Sequence, residues 1–133
     1  MINKMSTQVV PKSLRAWFVV HFWADILFAI PLLLFPKETL SLFGWTPIDP
    51  LATRLVGAAL IGIGVESFLG RNASFQSYQT MLRLKILWSV SANLGIALTI
   101  IQGAPKSVWL FQAIFFSFSC LWIYYKVRLG RSR

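Results

Sequence analysis

Acidic residues are scarce in this chain. Against thirteen lysines and arginines it has four, Asp25, Glu38, Asp49 and Glu66, and charges of both signs make up only 13% of its 133 residues. Histidine and cysteine occur once each, as His21 and Cys120. One cysteine excludes an internal disulfide and any multi-cysteine metal or redox centre. One histidine leaves haem without a usual pair of axial ligands. There is no P-loop, HExxH, CxxC, paired-histidine spacing or G-x-S-x-G, so nucleotide hydrolysis, zinc proteolysis and serine hydrolysis have no support. No metal site and no resident cofactor is evident.

What is present is apolar: 56% of residues are hydrophobic and 15% aromatic. That is too apolar for a soluble domain of this size. Four long apolar runs predict an all-α protein, a single integral membrane domain over 1–133 with four transmembrane helices at about 14–35, 50–70, 78–102 and 107–126, each long enough for a hydrocarbon layer of roughly 30 Å. The tails 1–12 and 127–133 are basic. Pro36 followed by ETLSLFGW predicts a short interfacial helix between helices 1 and 2, stopped by Gly44 and anchored by Trp45. Ser13, Asp49 and Ser74 are the expected N-caps, and Pro31 is expected to kink the first helix. The first run follows a basic leader, but it is about 20 residues long, contains His21 and Asp25 and lacks an A-x-A cleavage site, so a retained helix is expected.

Ten of the thirteen basic residues fall in the leader (Lys4, Lys12, Arg15), the middle connection (Arg71, Arg83, Lys85) and the tail (Lys126, Arg128, Arg131, Arg133). Lys37, Arg54 and Lys106 fall on the other side. Positive charge collects on the cytoplasmic face, so both termini are expected in the cytoplasm, in the inner membrane if the source is bacterial. Trp17, Trp122, Tyr124 and Tyr125 would then form one aromatic belt, with Trp45 and Trp109 in the other. The basic surplus lies in tails and connections rather than on a face with interleaved aromatics. It reads as topology and lipid contact, and nucleic acid is not an expected partner.

Helix 2 carries the small residues. Arg54, Ala58, Gly62 and Glu66 recur every fourth position, with Gly57, Ala59 and Gly64 beside them, and this stripe is expected to face the other helices. Asp25 lies near the middle of helix 1 with His21 four residues before it on the same face, and an ionised carboxylate at that depth requires a partner, water or neutralisation. Glu66 is expected at nearly the depth of His21 and within reach across the bundle. Lys85, Ser89 and Asn93 form a polar stripe on helix 3, in which Asn93 serves either as helix glue or as a ligand contact and Lys85 as a charge snorkelling to the interface. Trp23 and Trp88 sit deeper than the belt tryptophans, as core or as cavity wall. The candidate ligand-binding residues are thus His21, Asp25, Glu66, Trp88 and Asn93.

The layout of four helices, Pro36 and then Leu42-Phe43-Gly44-Trp45 after helix 1, and Arg54-Leu-Val-Gly-Ala-Ala-Leu-Ile-Gly62 in helix 2 resembles the small DoxX-like bacterial membrane proteins. That resemblance implies a four-helix fold and, at a distance, an association with thiosulfate:quinone oxidoreduction. It carries no catalytic motif to this chain. The acidic residues Asp25 and Glu66 are also similar in kind to those in the lipid-facing pockets of four-helix sterol isomerase and sigma-2-receptor-like proteins. Three functions stay open. The bundle binds a small amphipathic molecule, a quinone or a lipid; it is a ligand-free accessory subunit of a larger membrane complex; or it is an isomerase acting on a lipid-like substrate, with one carboxylate as acid and one as base. A small proton-coupled transporter would require a homodimer.

Overall fold

The computed structural model describes residues 8–131. Every regular element among them is helical: α1 (Lys12–Leu34), α2 (Pro36–Leu42), α3 (Pro50–Leu69), a 3₁₀ turn (Gly70–Asn72), α4 (Phe75–Ile101) and α5 (Val108–Gly130). Four segments, Lys12–Leu34, Pro50–Asn72, Phe75–Ile101 and Val108–Gly130, are long and apolar enough to cross a membrane. The distribution of polarity agrees. Large apolar side chains such as Leu27, Leu51, Leu87 and Leu94 are exposed around the outside, while His21, Asp25, Ser67, Lys85 and Ser89 are buried within. Water would penalise that arrangement, and hydrocarbon favours it. The chain is a four-helix, multi-pass membrane protein.

Local signals set the helix starts. Asp49 accepts hydrogen bonds from the Leu51 and Ala52 N–H groups with Pro50 in the first turn, and Ser74 accepts from the Ser77 N–H, satisfying donors that a helix start otherwise leaves open. Ser13 does not cap α1, which begins one residue earlier after Pro11 and has no side-chain cap. Pro31 stays inside α1, and its carbonyl accepts from the Phe35 N–H at 2.8 Å and the Thr39 hydroxyl at 3.1 Å. Gly44 ends the short α2 region at φ +81°, which a side chain would resist. Lys4 and Arg133 lie outside the described residues.

α1 packs closely along α3, and α4 along α5; the helices stand further apart between the two pairs. The inward row of α1 is Leu14, Phe18, His21, Asp25, Ala29 and Leu32, stepping by four and three as a 3.6-residue helix demands. On α3 the inward row is Thr53, Gly57, Leu60, Gly64 and Ser67. Gly57 and Gly64 therefore face α1 as expected, but Ala58 and Gly62 do not: both are exposed, and a methyl at Gly62 would meet nothing within 4 Å. A strict four-residue repeat turns about 40° per step on a helix of 3.6 residues per turn, so it drifts off any one face. Two glycines seven apart drift only about 20°.

The belt assignment also changes. Trp122 and Tyr125 are core residues, packed with Leu14, Phe18, Tyr78 and Leu82 in a cluster that holds the N-terminal start of α1, the α3–α4 connection and the C-terminal end of α5 together. Trp23, read as core or cavity wall, is exposed. The two helix pairs are thus joined firmly at one end. At the other, a space remains between them.

Candidate functional site

That space is a cavity of about 550 Å³, lined by residues of all four long helices and of α2. Its walls are almost entirely apolar, among them Phe28, Leu60, Trp88, Phe111 and Phe115, and Thr39, Leu40 and Trp45 line it at the α2 end. At the opposite end it meets the aromatic cluster, where His21, Asp25, Lys85 and Ser89 line its floor. An apolar chamber with a few polar groups at one end is the usual form of a site for a small amphiphile.

The floor is built by packing. Gly64 gives α3 no side chain where α1 presents Asp25; a Cβ there would lie 2.7 Å from the Asp25 Cβ. Asp25 comes close to α3 only because that position is glycine. One turn back on α1, the His21 ring meets Phe118 and Trp122 of α5 edge-on, at 4.7 and 5.2 Å between centroids. Lys85 reaches in from α4 and donates to the Ser67 Oγ at 2.6 Å, with its Nζ 3.0 Å from His21 Nδ1. The Nζ also lies 4.9 and 5.0 Å from the ring centroids of Phe18 and Trp122, a position in which an ammonium is attracted to the ring faces. Ser67 in turn donates to the Ile63 carbonyl at 2.6 Å.

His21 Nδ1 has a second neighbour, the Asp25 Oδ2 at 3.1 Å. A ring nitrogen carries either one hydrogen or one lone pair, so Nδ1 cannot accept from Lys85 and donate to Asp25 at once. An ammonium has only hydrogens to offer. With Nδ1 accepting from Lys85, Asp25 Oδ2 is buried without a hydrogen-bond partner. Asp25 as a whole is 7% exposed.

Of the candidates read from the sequence, the structure brings His21, Asp25 and Trp88 to the cavity. Glu66 is corrected: it is exposed on α3, one position from the inward-facing Ser67, because it belongs to the drifting repeat with Ala58 and Gly62. Asn93 does not line the cavity either and takes the helix-glue role of its two expected ones. Its amide donates to Ser119 Oγ at 2.8 Å and accepts from Gln112 at 2.7 Å, tying α4 to α5. The inward polar residue of α5 is Ser119, whereas Ser117 and Cys120 face out.

The residue that the sequence reading misplaced is Lys85, which is 3% exposed rather than snorkelling to an interface. Two signals existed. Lys85 shares a four-residue stripe with Ser89 and Asn93, and a helix starting at the Ser74 cap puts it about 15 Å along the axis from that start. Placing the helix start at residue 78 hid this depth.

No family model, no curated protein and no solved structure matches the chain. Its function must be argued from the site itself.

Proposed function

We propose that this protein binds a small amphipathic molecule, a quinone or a lipid, in the cavity between the α1–α3 and α4–α5 pairs, with its polar end at His21, Asp25 and Lys85. The observation that carries this reading is the Asp25 carboxylate, buried at the floor of an apolar chamber with no hydrogen bond from any described residue while His21 Nδ1 accepts from Lys85. A buried acceptor left without a donor costs about 1–3 kcal/mol, more when it is charged. Asn93 and Ser119 bridge α4 and α5 as helix glue does, although Gln112 Oε1 beside them is also buried without a partner among the described residues. The floor leaves the Asp25 carboxylate open. Asp25 differs from Gln112 in being an acid that lines the cavity, and that favours a ligand site over the accessory-subunit reading. The isomerase reading loses its second carboxylate with the outward turn of Glu66.

On this proposal the membrane is the bacterial inner membrane, with both termini in the cytoplasm on the strength of a nine-to-three division of basic residues once the buried Lys85 is set aside. The DoxX-like layout belongs to the same proposal and favours quinones among the ligands.

The test is a thermal-shift screen of the purified protein in detergent against quinones, sterols and glycerolipids, run in parallel on Asp25→Asn. Ligands that stabilise the parent should stabilise the variant less. Equal shifts in both proteins for every compound would make Asp25 structural and put the accessory-subunit reading first.

A further inference from the structure

The floor of the cavity specifies more than an amphiphile. We infer that it selects a molecule whose polar end is an uncharged hydrogen-bond donor, an alcohol or a phenol, that donates to the Asp25 carboxylate. This rests on the proposed ligand site and names the chemistry of its polar subsite.

Each floor group has a different amount left to offer. Lys85 is committed: two of its hydrogens are directed to Ser67 Oγ and His21 Nδ1, and the Phe18 and Trp122 ring faces stand beside the third. His21 Nδ1 accepts from Lys85, so the neutral ring carries its hydrogen on Nε2, which meets no acceptor among the described residues, and the ring packs edge-on with Phe118 and Trp122 of α5. Asp25 is the open acceptor of the floor. Its Oδ2 is closed in between His21 Nδ1 and the bare backbone of Gly64, within 3.2 Å of where a Cβ would stand, so Oδ1 is the oxygen left for a ligand in the cavity, and no described residue donates to either oxygen. An ionised carboxylate is acceptor-only. The group that completes this floor must therefore bring a hydrogen.

Charge narrows the choice further. Asp25 and Lys85 offset each other, and in an apolar chamber an added charge without its own partner is costly. A fatty-acid carboxylate or a phosphate would place a second negative charge beside Asp25. An alkylammonium would satisfy Asp25 but place a second positive charge beside Lys85. A neutral hydroxyl supplies the hydrogen and leaves the balance unchanged. Between the ligand classes proposed above, the site accordingly favours a hydroquinone over its oxidised quinone, and a lipid alcohol over a fatty acid. The oxidised quinone has only acceptors, which suit the His21 Nε2 hydrogen but leave the Asp25 carboxylate without a donor, whereas a hydroxyl serves both.

The experiment uses the full chain in detergent and ligands that differ only at the polar end. Hexadecanol, hexadecyl methyl ether, hexadecanoic acid and hexadecylamine are titrated at matched mole fractions in the micelle, and binding is read as the dose dependence of the thermal midpoint. Dodecylphenol and its methyl ether repeat the comparison on a second body. Hexadecanol and dodecylphenol should each bind at least about tenfold more tightly than their ethers, the ratio that one hydrogen bond to a charged group supplies. The acid and the amine should bind more weakly than the alcohol.

Ethers that bind as well as the hydroxyl compounds would overturn the inference and leave the ligand site standing. Tighter binding of the acid or the amine would overturn it too, by showing that the Asp25–Lys85 balance does not govern selection. No response to any of the six compounds, while oxidised quinones or sterol methyl ethers do bind, would also defeat it. No response to anything would remove the ligand site itself. In Asp25→Asn the amide donates as well as accepts, so the ratio of hydroxyl to ether affinity should fall towards one. A purely structural role for Asp25 would lower stability without moving that ratio.

Discussion

At the end of the bundle where both described termini lie, Leu14, Phe18, Tyr78, Leu82 and Trp122 are at most 1% exposed, and aromatic rings from α1, α4 and α5 interlock. At the α2 end, the corresponding inward positions Ala29, Leu32 and Leu60 form only a small cluster beside a cavity of about 550 Å³. The same four helices run through both regions. The filled end has large rings on the helices that face each other across the two pairs. In the hollow half Ala24, Ala92 and Gly95 line the cavity and bring no bulk to fill it. Interiors ordinarily pack to the density of organic crystals, so a chamber of this size is a property of the chosen side chains rather than of the fold. One end holds the helices together, and that frees the other to stay open.

The comparison breaks most easily at the filled end. Phe18 contacts Tyr78 at 4.6 Å and Trp122 at 5.7 Å between ring centroids and lies under Lys85. Phe18→Ala should cost about 3–5 kcal/mol, the usual range for deleting a buried ring that its neighbours cannot replace. Trp88 is larger, yet it stands half-buried at the edge of an existing void. Trp88→Ala should cost less than half as much, and it should alter ligand binding more than stability. Unfolding of both variants in mixed detergent micelles measures the difference; equal losses would mean that the hollow end is packed as tightly as the filled one.

The border between the two regions is the Lys85 ammonium, and Ser67 tests it. Ser67→Ala removes the acceptor at 2.6 Å and leaves the ammonium with one hydrogen bond fewer in an apolar setting. A loss of about 1.5–3 kcal/mol is expected, typical of hydrogen bonds to charged groups. Ser89→Ala is the control, since the Ser89 hydroxyl donates to its own helix at Ile86 O and makes no hydrogen bond with Lys85. It should be nearly silent. A silent Ser67→Ala would mean that His21 and the aromatic faces alone hold the charge.

The filled end and the floor were unequally legible in the sequence. Spans, the Asp49 and Ser74 caps and the Gly44 stop follow from run length and turn chemistry, which are local. His21 and Asp25 stood out because polar groups at mid-span are rare enough to notice one by one. What could not be read was rotation about the helix axes, since every span is apolar on nearly all sides and gives little contrast to mark an inward face. Glu66, Lys85 and Trp122 were misplaced for that reason. Each error is one of facing or depth, and none is one of element.

The finest test of the comparison is that rotation itself, on α3, where Gly62 and Gly64 are two residues apart on different faces. Gly64→Ala drives a methyl to within 2.7 Å of the Asp25 Cβ, which is fixed to the α1 backbone and has no rotamer to retreat into. The α1–α3 contact must open, at the roughly 1–3 kcal/mol that overpacking costs, and the carboxylate must leave its place against His21. Ligand response should fall together with stability. Gly62→Ala meets nothing within 4 Å and trades a flexible residue for a good helix former, so it should be neutral or up to about 1 kcal/mol more stable. Gly62→Leu should be tolerated as well, on a face that already carries Leu55 and Leu69 to the outside. If Gly62→Leu unfolds the protein while Gly64→Ala does not, α3 is turned by about a third of a turn, Glu66 rather than Ser67 faces Lys85, and the floor has a second carboxylate after all.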